Sequence, residues 1–150
     1  MIAGVEVHPL RQLVDERGRV MHMLRRDAPW FRGFGEIYFS AVNPGVVKGW
    51  HLHKSMTLNY AVLSGRIRLG LYDERADSPT KGVSQQILLG GDNYALAVVP
   101  PGIWNGFESL DGAPALVANC ATEPHSPEEI VREDPFTKRI PNAWEGKTGR

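Results

Sequence analysis

The sequence predicts one all-β domain of the sandwich or jelly-roll kind. Strand-like segments recur every eight to twelve residues, Gly, Pro, Asn and Asp turns separate them, and long amphipathic helices are absent. That pattern suits packed antiparallel sheets rather than βαβ units. The clearest strand is 66–72, where Ile67, Leu69 and Leu71 alternate with Arg66, Arg68 and Tyr72, giving one apolar and one wet face. Residues 57–63 are its expected hairpin partner through the Ser64-Gly65 turn. Further strands are expected at 20–24, 36–42, 46–51, 85–89, 94–99, 106–108 and 115–121. Residues 73–82 read as a polar loop, and Pro100-Pro101-Gly102 as a rigid corner whose prolines suit no central strand. The one helical signal is Ser126-Pro127-Glu128-Glu129, with an N-cap serine, proline at the first helical position and a capping-box glutamate. One short C-terminal helix is therefore expected. Residues 1–144 are expected to form the single domain, and 145–150, with nothing to bury, a frayed tail.

Composition narrows the function classes. With 150 residues, 42% of them hydrophobic, the chain is long enough for one substantial core. Seventeen basic residues cancel seventeen acidic ones, so no net field draws the molecule to nucleic acid or to an anionic membrane. An anionic ligand must be met locally. No apolar run approaches the roughly 18 residues of a membrane span, and the opening MIAGVEVHPL lacks a signal-peptide pattern. A cytoplasmic protein is expected. Cys120 is the only cysteine, which excludes an internal disulfide or a multi-cysteine metal site and reads most simply as a small buried hydrophobe.

The chemistry centres on Lys48-Gly49-Trp50-His51-Leu52-His53-Lys54. On a strand, the spacing of His51 and His53 puts both imidazoles on one face, and Trp50 and Leu52 on the other as core. The pair alone leaves three readings open: a metal grip, a general base with a helper, or two surface histidines.

The stretch from Gly45 to Gly65 resembles the first cupin motif, and Pro100-Pro101-Gly102-Ile103-Trp104-Asn105 the second. The resemblance implies a double-stranded β-helix, the cupin form of the jelly roll. Metal-binding cupins carry a glutamate and a second-motif histidine where this chain has Leu58 and Asn105, so no metal and no other cofactor is expected. A closer similarity is to the dTDP-4-dehydrorhamnose 3,5-epimerase family, metal-free cupins acting on nucleotide-linked 4-keto-6-deoxy sugars. It is carried by Asp15-Glu16-Arg17-Gly18, Val47-Lys48-Gly49-Trp50-His51, Tyr72-Asp73-Glu74-Arg75 with Ser78-Pro79-Thr80, Pro100 through Phe107, Ser126-Pro127-Glu128, Asp134-Pro135, and the closing segment from Ile140 to Trp144. The resemblance implies that His51 removes the proton alpha to the sugar ketone, with Asp134 orienting it. A ketone acidifies its neighbouring C–H enough for a neutral imidazole to abstract the proton. It also implies a nucleotide-sugar partner, with Arg17, Lys48, Tyr38, Tyr60, Asn105 and Asn119 around the substrate, and a homodimer whose subunits exchange N-terminal segments.

Several positions depart from the family pattern. Asn119 stands where the family has its tyrosine acid, and an amide cannot donate a proton as a phenol does. Tyr60, Tyr38 and a pocket water are the candidate replacements. Lys48 replaces an arginine, keeping the charge without the bidentate fork, and Val20 and His22 replace nucleotide-holding residues. Gly49 to Lys54 also resembles the dTDP-4-keto-6-deoxyglucose 3,4-ketoisomerases, whose paired histidines would give His53 a role and among which Tyr38 has a counterpart. The expectations are thus a 4-keto-6-deoxyhexose epimerase acting at C3 alone or at both carbons, a 3,4-ketoisomerase, or a non-catalytic sugar-nucleotide-binding cupin.

Overall fold

The structure is a computed structural model that describes every residue except Ala143. The chain runs β1 (Glu6–Pro9), β2 (Gln12–Asp15), β3 (Gly18–Met21), β4 (Glu36–Val42), β5 (Val46–His53), β6 (Leu58–Ser64), β7 (Arg66–Asp73), β8 (Ser84–Gly90), β9 (Ala95–Val99), β10 (Ile103–Ser109), β11 (Ala115–Ala121), β12 (Ile130–Arg132) and β13 (Thr148–Gly149). One sheet has the order β1-β9-β6-β11-β4, and the other β12-β5-β10-β7-β8 with β13 also on β5. The β2–β3 hairpin stands apart. The two open sheets face each other as a jelly-roll sandwich.

The main core fills the space between the sheets. Leu58, Val62, Ala97, Val99 and Val117 meet Ile67, Leu69, Leu71, Leu89 and Ile103 there, all almost fully buried. The period-two pattern of residues 66–72 therefore marks the inward face of β7 correctly. Its expected partner is wrong. β7 pairs with β8 and β10, while β6 pairs with β9 and β11 in the opposite sheet. At Gly65 the chain crosses from one sheet to the other, with φ at 76° and Pro114 O only 2.7 Å from where a Cβ would stand. Glycine is needed there for sheet crossing, not for a hairpin.

Two further corrections concern the C-terminal third. The expected helix at residue 126 is a single turn closed by Glu129 N–H donating to Ser126 O (3.1 Å), and no helix occurs among the described residues. The Glu129 side chain, instead of closing a capping box, accepts from the N–H groups of Ser55 (3.0 Å) and Met56 (2.9 Å), and β12 starts at the next residue. Tertiary hydrogen bonds outweigh the local capping signal. Residues 145–150 are not frayed. Thr148–Gly149 lies parallel to β5, Arg150 N–H donates to Val47 O (3.1 Å), and Gly49 N–H donates to Arg150 O (2.9 Å). A tail without apolar side chains is held through its backbone.

The same segment is anchored by Glu108. This buried carboxylate takes the Arg68 guanidinium at 2.7 Å and the N–H groups of Glu145 and Gly146 at 3.0 to 3.1 Å. Preceding it, Trp144 packs on Trp50, capping an outer cluster with Trp104 and Ile140. Glu108→Ala leaves Arg68 with one buried partner fewer and frees the tail, so it should cost about 3 kcal/mol, read as a lower denaturant midpoint.

Candidate active site

A cavity of about 860 Å³ opens between β4, β6 and β11 of one sheet and β5, β10 and β12 of the other, with β13 and Arg150 along its side. Alternation sets its wall on β4: Glu36, Tyr38 and Ser40 face in, and Ile37 and Phe39 face out. On β5 the inward residues are Val46, Lys48, His51 and His53. Lys48 and His51 are three apart, so strict alternation would place them on opposite faces. A bulge reconciles them. In the β5–β10 register His51 pairs Asn105 and Lys48 pairs Phe107, leaving Gly49 and Trp50 opposite Gly106 alone. A Cβ on Gly49 would lie 2.8 Å from Gly106 Cα, so both glycines permit the close approach. Trp50 is thereby turned to the outer cluster, as the sequence suggests.

His51 has no carboxylate in hydrogen-bond contact among the described residues. Burial, then the positive charge of Arg132, then His53 and Lys48, hold its imidazole down at about 4, so it is neutral at ordinary pH. Asp134 is not brought to it: its Oδ1 accepts the N–H of Phe136 (2.7 Å), and no hydrogen bond joins it to His51 among the described residues. His53 has the partner that His51 lacks. Its Nδ1 lies 2.6 Å from Glu129 Oε1, with both side chains about one-tenth exposed. Burial opposes charge on Glu129, but the His53 contact and the Ser55 and Met56 amides outweigh it and lower the carboxyl.

The facing wall is a row of three polar residues. In register, Asn119 on β11 lies between Tyr38 on β4 and Tyr60 on β6. Asn119 Oδ1 accepts from Asn59 N–H (3.0 Å), and its Nδ2 donates to the Tyr38 hydroxyl (2.9 Å). Tyr60 is buried, which raises its phenol far above the ordinary value, and its hydroxyl donates to Asn105 Oδ1 (2.9 Å). Asn105 also donates to His51 O (3.0 Å), pinning the strand that carries His51. Tyr38, 42% exposed, is the phenol open to the cavity.

Charge on the lining is mainly positive. Lys48 Nζ donates to Ser40 Oγ across the cavity (2.8 Å), and Lys48, Arg132 and Arg150 have no carboxylate partner among the described residues. Arg132 pairs directly with His51 across β12 and β5. Sequence reasoning missed Arg132, Arg150 and Glu129, because short β12 and β13 carry no apolar alternation. Arg17 lies outside the cavity, ion-paired to Asp15 on the exposed hairpin (2.6 Å). No three His, Cys, Asp or Glu side chains stand together as a metal site among the described residues; Leu58, at the cupin glutamate position, is core.

Comparison with known proteins identifies relatives. Residues 1–144 match the family model described as dTDP-4-dehydrorhamnose 3,5-epimerase. The chain is 34% identical over 142 residues to the probable low-salt glycan biosynthesis epimerase Agl13 of Haloferax volcanii, covering 93% of this chain and 88% of that one. It is 32% identical over 148 residues to the spore coat polysaccharide biosynthesis protein SpsL of Bacillus subtilis, covering 99% and 93%. The crystal structure of a dTDP sugar isomerase from Desulfovibrio desulfuricans G20 superposes with a TM-score of 0.93 at 46% identity, covering 97% and 94%. The chain belongs to the dTDP-4-dehydrorhamnose 3,5-epimerase family.

Proposed function

We propose that this protein epimerises a nucleoside-diphosphate 4-keto-6-deoxyhexose, with His51 removing the proton alpha to the ketone. The observation that carries the reading is the half-buried His51 imidazole facing a large cavity lined also by Lys48, Arg132 and Arg150, which have no carboxylate partner among the described residues. A neutral base is ready to take a proton, and nearby positive charge favours both a diphosphate and a developing enolate. Lys48, Arg132 and Arg150 are proposed to meet the diphosphate, with Asn105 and Tyr60 holding the wall behind the sugar. Tyr38, across the cavity from β5, is proposed to return the proton to the opposite face of the enolate. Its hydrogen bond from Asn119 stabilises the phenolate left behind. Asp134 is read as securing the turn after β12, since its carboxylate already serves Phe136. Inversion at C3 alone is the narrower form of this proposal.

The proposal includes a homodimer. Ile37 and Phe39 on the outer face of edge strand β4, with Phe34 beside it, are 49 to 64% exposed, and the detached β2–β3 hairpin carries Val14, Val20 and Arg17 away from their own cavity. A hairpin exchanged between subunits would deliver Arg17 to the partner's substrate. Sedimentation should give twice the 16.6 kDa chain mass. A cytoplasmic location completes the proposal; no helix among the described residues is long and apolar enough to cross a membrane. The second reading, 3,4-ketoisomerisation, draws on two imidazoles sharing one strand face and differs by a migrated carbonyl.

In deuterated water with dTDP-4-keto-6-deoxyglucose, the wild type should incorporate deuterium at C3, with the carbonyl remaining at C4. His51→Asn should abolish incorporation while keeping its folded circular dichroism spectrum. Because His51 is neutral down to about 4, the acid limb of kcat/KM should lie near pH 4 to 5 rather than above 6. Tyr38→Phe should keep exchange at C3 yet lose inverted product by about a hundredfold or more. Full epimerisation by Tyr38→Phe would remove the phenol from the mechanism.

A further inference from the structure

We infer that His53, held by Glu129, is a second catalytic group: a general acid that protonates the ketone oxygen of the substrate while His51 removes the neighbouring proton. The inference rests on the epimerase reading above and assigns a task to a histidine which that reading leaves idle.

The geometry supplies the argument. The Glu129 carboxylate can only accept, so His53 Nδ1 carries the proton of their 2.6 Å bond, and Nε2 is the nitrogen left for a ligand. Two residues apart on β5, the imidazoles are roughly 7 Å apart along the strand, both on the cavity wall. Their environments are opposite. His51 has cations around it and no carboxylate, whereas a positive charge on His53 has a carboxylate in contact. When two like groups are given opposed environments, one suits the base and the other the acid. Glu129 is itself fixed by the Ser55 and Met56 amides, so it positions the ring as well as sharing its charge.

The proton balance closes. His51 takes the hydrogen from C3, the C–H electrons form the C3–C4 double bond, and the carbonyl oxygen takes the Nε2 proton of the His53 imidazolium, giving an enol. In the second half, Tyr38 protonates C3 from the other side, the enol O–H returns its proton to His53, and the carbonyl reforms. The His51 imidazolium and Tyr38 phenolate reset by exchange with solvent. No metal or redox partner is required.

Other charges bear on His53. Lys48, His51, Arg132 and Arg150 share the cavity lining with it, as does Glu36 on β4, while Glu129 is in contact with its ring. Tyr38, Tyr60 and His125 are the remaining titratable side chains on the lining. Of these groups Glu129 is the one in contact with the ring, so its removal is the change the test makes.

The test measures the pH dependence of kcat/KM for C3 exchange in wild type, Glu129→Gln and His53→Gln, using dTDP-4-keto-6-deoxyglucose. The wild type should lose activity on the alkaline side, Glu129→Gln should show that limb displaced to lower pH, and His53→Gln should lack it, with exchange slowed about 10²-fold or more. An NMR titration of the ¹⁵N-labelled imidazoles, without substrate, should show the same displacement for His53 in Glu129→Gln. A wild-type profile in both variants would overturn the inference alone. So would slowed exchange in Glu129→Gln with the limb and the imidazole titration unmoved, the result of a purely structural contact. Absence of exchange in the wild type would overturn the epimerase reading itself and this assignment with it.

Discussion

The site depends on one irregularity, the bulge that sets Gly49 and Trp50 of β5 against Gly106 of β10. A regular strand alternates its side chains, so Lys48 and His51 could not both face the cavity without an extra residue between them. The bulge supplies that residue and turns Trp50 outward into the cluster with Trp104 and Trp144. It also lets two glycine backbones touch where a single Cβ would collide. The lining of the cavity and the packing of the outer face are thus consequences of the same backbone feature.

The rest of the site is organised by how buried polar groups find partners. Asn59, Asn105 and Asn119 are almost fully buried, and each side chain ties one strand to another. Asn119 connects backbone on β6 with the phenol on β4, and Asn105 links Tyr60 to the carbonyl of His51. These amides make the wall rigid, which limits the rotamer freedom of the residues that meet substrate.

Charge placement follows a comparable division. The least exposed carboxylates are spent inside the protein: Glu108 on Arg68 and the tail, Asp73 on Arg75, Ser78 and Thr80, and Glu129 on His53. Among the described residues, Lys48, Arg132 and Arg150 at the cavity have no such partners. A molecule with no net charge thereby presents a locally positive, partly enclosed surface, where an anion is attracted more strongly than in open water.

The sequence alone determined the all-β class, the spacing of most strands, the Pro-Pro-Gly corner and the joint presence of His51 and His53 on one wall. These depend on short-range rules, since periodicity reports which face is apolar and prolines and glycines report where strands stop. It could not determine neighbours. The β7 pattern is the same whether β6 or β8 lies beside it, and the SPEE signal at residue 126 is the same whether Glu129 caps a helix or reaches across to His53. Arg132 reaches the site on a strand of three residues and Arg150 just past one of two, both paired to β5, and the Tyr38 hydroxyl gains a donor from Asn119, 81 positions away. Only the tertiary structure decided these, because each depends on a hydrogen bond or strand pairing that closes a long loop. Neither partner's local sequence encodes that closure.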